Sequence, residues 1–153
     1  MAWYEGTWIP PEPVRIAVIV SRFNQTVTDG LLKGCQKALA QHGVTDEQID
    51  IIVVPGAFEI PGVVFRLLDK PYHAIIALGA VIRGETPHFD YVASSVTQGL
   101  ARAAHEGRIP VVFGILTTDT VEQAEARAGG KSGNKGAEAA LTALEMMSLY
   151  RQL

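Results

Sequence analysis

The sequence predicts an α/β fold: a three-layer αβα sandwich around a four-stranded parallel sheet with flavodoxin-like winding. Three observations carry this. Short aliphatic, β-branched runs alternate along the chain with amphipathic stretches of helical period. Strands that alternate with helices pair in parallel, with helices over both faces. The strand-like runs are almost continuously apolar, as strands buried on two faces are.

The elements follow in order. Val14–Val20 reads as the first strand and Thr28–Gln41 as a helix, with Leu31, Leu32, Cys35 and Leu39 on one face and Gly43 just past its end. Ile49–Val54 is the second strand, and a short helix covers Glu59–Leu68. Ala74–Leu78 is the third strand; the next helix holds Ser94–His105 and stops before Gly107 and Pro110. Val111–Leu116 is the fourth strand. Thr120 with Gln123 three residues on is a capping signature for a helix over Val121–Ala128. Gly129, Gly130 and Gly133 end that helix. Ala137, Leu141, Leu144 and Met147 mark a last helix to Tyr150. No repeat or linker divides the chain, so residues 1–153 read as one domain, with 1–13 as an N-terminal arm. The arm carries Trp3, Tyr4, Trp8 and Ile9. The stiff Pro10–Pro13 spacer is expected to keep it from folding straight back, which favours pairing with the sheet edge of a neighbouring subunit.

Composition excludes several functions. A net charge of −3 and the absence of any block of like charge argue against nucleic acid as a partner. No apolar run approaches the ~18 residues of a membrane span, and the start of the chain has no signal-peptide pattern. One cysteine, Cys35, excludes an internal disulfide and a cysteine-clustered metal site. The chain reads as cytoplasmic, and neither a metal nor a dinucleotide is expected.

Chemistry gathers where the strands end, as ligands do in open parallel sheets. The stretch Gly79–His88, GAVIRGETPH, offers free backbone N–H groups, a hydroxyl and a group that titrates near neutral pH. Among four histidines only His88 lies in such a loop beside small and hydroxyl residues, which suits a general acid/base, although a lone loop histidine is more often ordinary. After the first strand, Phe23 can stack on a heterocycle or simply cap the core. After the second, Glu59 can accept hydrogen bonds from a polyol or merely complement a helix dipole. Arg127–Gly136, RAGGKSGNKG, combines cations and glycines as a phosphate cradle does, or is a solvated turn. It is not a Walker A loop, because Glu125 stands where the first glycine belongs. By themselves these residues suggest a domain that binds a small, phosphorylated, partly aromatic ligand.

Together they resemble the 6,7-dimethyl-8-ribityllumazine synthase family over nearly the whole chain. The resemblance rests on SRFN at Ser21–Asn24, VPGAFEIP at Val54–Pro61, ALGAVIRGETPHFDYV at Ala77–Val92, FGILTTDT at Phe113–Thr120 and AEARAGGKSGNKGAEAA at Ala124–Ala140. It implies condensation of 5-amino-6-(D-ribitylamino)uracil with 3,4-dihydroxy-2-butanone 4-phosphate, through an imine, phosphate loss and ring closure, without cofactor or metal. Phe23, with Asn24 beside it, resembles the residue stacked on the pyrimidine. Ala57, Phe58 and Glu59 resemble the segment that holds the ribityl chain and ring, and Ala80, Val81 and Ile82 the backbone contacts to the pyrimidine. Glu85, Thr86 and Arg127 match the phosphate site, His88 the proton-transfer residue and Lys135 an auxiliary base. Phe113 resembles an aromatic lent by an adjacent subunit.

The resemblance also implies a homo-oligomer with sites between subunits. The family forms pentamers, and the uninterrupted turn Arg127–Lys135 favours an icosahedral shell over a lone pentamer, with riboflavin synthase as a candidate partner. One departure is Glu85, where the family often has a small residue. A competing account, a non-catalytic flavin- or lumazine-binding protein on the same fold, is disfavoured by the joint presence of Thr86, His88 and Arg127.

Overall fold

The computed structural model describes residues 1–153. The elements are β1 (Ile16–Ser21), α1 (Gln25–Gln41), β2 (Ile49–Val54), α2 (Ile60–Leu67), β3 (Ala74–Ile82), α3 (His88–Glu106), β4 (Val111–Thr118), α4 (Val121–Arg127), β5 (Ala128–Gly130), β6 (Gly133–Asn134) and α5 (Lys135–Tyr150). The sheet is parallel, in the order β2-β1-β3-β4, and β1 aligns Ile16 with both Ile49 and Ala74. This is the flavodoxin-like winding expected.

Each strand of the pair β1 and β3 buries both faces, and so two cores form. Ile16, Val18, Ile76 and Leu78 point to the layer of α1, α4 and α5, where Leu31, Leu39, Ala140 and Leu144 meet them. Ala17, Ile19, Ile75 and Ala77 point to α2 and α3, against Ile60, Val64, Val96 and Leu100. The period of 2 thus assigns alternate residues to opposite layers. Cys35 lies fully buried in the first core, where desolvation pushes its thiol up to about 12, so it packs rather than reacts. No helix is long and apolar enough to cross a membrane.

Several boundaries differ from the sequence expectation, among them the start of α1 (Gln25) and the end of β4 (Thr118), and three differences bear on the site. β3 runs four residues further, to Ile82, because Gly79 is a packing position and not a turn. A Cβ there would meet Ser21 Oγ at 3.0 Å and the ends of Ile60 and Ile115 at 3.2 Å. α3, expected to hold Ser94–His105, begins at His88, which the sequence reading places in the strand-end loop; Pro87 occupies the N-cap and HFDYV forms the first turn. Between α4 and α5 the chain forms a small antiparallel hairpin, β5–β6, instead of a plain break. Gly129 (φ 109°) and Gly133 (φ 87°) supply the left-handed turns that L-residues avoid.

The arm forms no strand with the sheet of its own chain, and polar contacts tie its later residues to the end of α5. Thr7 N–H donates to Ser148 Oγ at 2.7 Å, Gln152 Nε2 donates to Glu5 O at 2.7 Å, and Arg151 donates to the carbonyls of Glu12 and Pro13. Polar groups at and just past the end of α5 therefore fasten residues 5–13, while the aromatic start of the arm stays uncovered within the chain. Trp8 meets the His42 ring edge-on at 5.7 Å, whereas Trp3, Tyr4 and Ile9 stay exposed.

Candidate active site

The strand order reverses between β1 and β3, and the crevice at their carboxyl ends opens into a cleft of about 540 Å³. Each wall has a local cause. Arg22 and Phe23 donate their N–H groups to Val54 O (2.9 Å) and Pro55 O (3.0 Å), so the loop after β1 is sewn to the loop after β2. Asn24 then takes a left-handed conformation (φ 62°), which turns the chain into α1 and leaves Phe23 exposed at the rim. Its side-chain amide reaches toward Ala80 O at 3.4 Å, across the crevice.

On the second wall, Gly56 to Glu59 make a single 3₁₀ turn that buries Ala57 and exposes Phe58. The Glu59 carboxylate lies over Gly56, where an added Cβ would come within 3.1 Å of Oε2. Ala80, Val81 and Ile82 form the floor, and His88 stands on the far side as the first residue of α3. Phe23, Asn24, Ala57, Phe58, Glu59, Ala80, Val81, Ile82 and His88 are therefore brought together. The lining is mostly apolar with a few polar groups, the usual character of a small-molecule site.

Beside His88, the backbone N–H groups of Gly84, Glu85, Thr86 and His88 have no acceptor within the chain. They stand at a helix N-terminus, where the macrodipole favours negative charge. The Glu85 side chain is exposed and does not line the cleft.

Two aromatic residues of the cleft escaped the sequence reading, Phe89 and Tyr91. The signal is HFDYV, His88–Val92, whose aromatic residues flank the histidine in the first turn of α3.

Phe113, Arg127 and Lys135 lie elsewhere. Lys135 shares one depression with Phe113, along β4 and α5, and another with Arg127 and Thr118. Arg127 Nη1 donates to Gln123 O at 2.9 Å and pairs with no carboxylate. Both cations are thus free to meet an anion. Thr120 caps α4 as expected, with its hydroxyl accepting from Gln123 N–H at 3.1 Å. The hairpin between them is docked by Asn134. Its amide donates to Gly30 O at 2.9 Å and accepts from Ala137 N–H at 3.1 Å, which caps α5 and ties it to α1. Part of RAGGKSGNKG is therefore a fastening on α1, as the small residues facing it confirm: a Cβ at Gly34 would strike the Asn134 side chain.

A family model described as 6,7-dimethyl-8-ribityllumazine synthase matches residues 13–151. The chain belongs to this family. The 6,7-dimethyl-8-ribityllumazine synthase of Nostoc sp. is 53% identical over 158 aligned residues, which cover 100% of this chain and 83% of the relative. A lumazine synthase of this family is a transferase that works on small molecules.

Proposed function

We propose that the cleft between Phe23 and His88 is where this chain carries out the lumazine synthase condensation of riboflavin biosynthesis. The observation that carries the reading is convergence. Residues from the loops after β1 and β2, the end of β3 and the start of α3 meet around one crevice. Phe23 would stack on the pyrimidine of 5-amino-6-(D-ribitylamino)uracil over the floor of Ala80–Ile82. Asn24, Ala57, Phe58 and Glu59 would hold the ribityl side, with the Glu59 carboxylate accepting from hydroxyls. The phosphate of 3,4-dihydroxy-2-butanone 4-phosphate would sit on the free N–H groups of Glu85 and Thr86. Glu85 is exposed and outside the cleft lining, which supports a carboxylate turned to solvent while its backbone N–H meets the phosphate. His88, beside that phosphate, would move protons during imine formation and phosphate loss. Incubation of the purified protein with both substrates tests the reading, through growth of the lumazine absorbance.

Within one chain Phe113, Arg127 and Lys135 line depressions distinct from this cleft. We therefore read the site as shared, with these three lent by an adjacent subunit and Arg127 completing the phosphate pocket. Mixing and reassembling two inactive variants, H88A and R127A, checks this. If the groups come from different chains, about a quarter of randomly formed interfaces in a cyclic ring regain both. If both come from one chain, no site is restored.

The whole chain would act as one domain in the cytoplasm and assemble as a homopentamer built into an icosahedral shell. Three features support the shell. The α4–α5 turn has no insertion, the edge strand β2 exposes Ile51 and Val53, and the arm exposes Trp3 and Tyr4 that could cover such an edge. Light scattering and negative-stain microscopy distinguish shells from pentamers, and co-purification tests riboflavin synthase as the partner.

A further inference from the structure

We infer that Arg83 is a positioning residue for His88, an inference that rests on the reading of His88 as the proton-transfer group. The His88 imidazole makes no hydrogen bond within the chain, so its placement depends on the turn that carries it. That turn is held from one side by a single guanidinium. Arg83 Nε donates to Asp119 Oδ1 at 2.9 Å, Nη1 lies 3.5 Å from Asp90 Oδ1, and the Arg83 guanidinium carbon sits 4.4 Å from the centre of the Phe89 ring.

Phe89 and Asp90 are the two residues that follow His88. Arg83 itself is anchored by its backbone, with N–H donating to Thr118 O at 2.9 Å at the end of β4. One side chain therefore fastens the first turn of α3 to the ends of β3 and β4, beside the cleft. Planar stacking and a forked donor set need arginine; a lysine reproduces one ion pair and neither of the other features. The pairs are solvent-exposed, so their effect on global stability is small. Their effect on the position of one imidazole is not, because proton transfer depends on sub-ångström geometry.

The test is a double-mutant cycle on the assembled enzyme. Arg83→Ala is expected to lower kcat several-fold, below the ~10²-fold that a 1 Å misplacement can cost, with KM for either substrate within about two-fold. Arg83→Lys should recover part of the loss. In the His88→Ala background the same change should do nothing further, because no imidazole remains to be placed. Hydrogen exchange of the first hydrogen-bonded amides of α3, from Asp90 onward, should quicken in Arg83→Ala. Asp119→Ala, which removes the acceptor of the shortest tether and keeps the arginine, should give the same pattern at smaller size and serves if Arg83→Ala fails to assemble. A loss as large in the His88→Ala background as in the parent overturns the inference and leaves the His88 reading standing. A rise confined to the KM of the phosphorylated ketone overturns it as well, by making Arg83 a phosphate ligand. An unchanged rate in His88→Ala alone overturns the His88 reading and this inference with it.

Discussion

Tyr72 donates its hydroxyl to Asp50 Oδ2 at 2.7 Å, on the same carboxylate that Arg15 grips through Nε and Nη2 from the neighbouring strand. The Tyr72 hydrogen bond and the Arg15 fork hold the Asp50 pKa below the usual carboxylate range, and the same bond raises the Tyr72 pKa. The stabilisation from Asp50 is complete above the ordinary aspartate value of about 3.9 and is lost as pH falls through the lower folded value. That from Tyr72 is complete below about 10 and is lost as pH rises through the higher folded value. Asp50→Asn should therefore lower Tm most in the neutral range. Thermal melts across pH should show the gap to the parent closing at both the acid and the alkaline end.

His88→Ala should slow turnover without abolishing it. General acid/base groups contribute ~10²–10⁴-fold, and a condensation that also draws on the proximity of two reactive partners should lose an amount at or below the low end of that range. Steady-state lumazine formation reads the effect, and an unchanged rate removes His88 from the mechanism.

Arg127→Ala should raise KM for the phosphorylated ketone far more than for the pyrimidine. A lost charge-assisted bond to phosphate costs ~1.5–3 kcal/mol, or about ten- to a hundred-fold. Phe23→Ala should reverse the order, with the pyrimidine suffering more. Equal effects on both substrates would place either residue away from its assigned ligand.

Gly136→Ala should destabilise the subunit by about 1–3 kcal/mol or more, because the new Cβ would be driven into the Leu31 carbonyl where α1 crosses the start of α5. Denaturant unfolding measures it. The substitution should also weaken binding of the phosphorylated ketone, since the same crossing carries Lys135 and the hairpin behind Arg127.

The parallel sheet and the strand-end location of the cleft were legible because aliphatic runs such as Ile49–Val54 alternate with helical stretches, and ligands gather where strands finish. Phe23, Glu59 and His88 fall at strand ends for that reason, whereas their roles come from the family resemblance. Gly79 misled, because a glycine chosen for close packing under Ser21 looks the same in a sequence as a glycine chosen for a turn. The first turn of α3 was hidden by Pro87 and by aromatic residues that also suit a loop, and Phe89 and Tyr91 went with it. Asn134 read as part of an anion cradle because its partners, Gly30 and Ala137, depend on a helix crossing far apart in sequence. The separation of Arg127 and Lys135 from His88 is a property of tertiary placement, which motif spacing does not encode.

The hold of Gln152 on Glu5 and of Arg151 on Glu12 and Pro13 leaves the two chain ends side by side. A passenger domain fused at either end would emerge from the same patch of the subunit. An extension at the carboxyl end would press on the arm, whereas removal of the last three residues would leave it held through Thr7 and Ser148 alone. Engineering one terminus is thus never independent of the other, and a tag chosen for convenience at Leu153 becomes a variable in any experiment on how subunits meet.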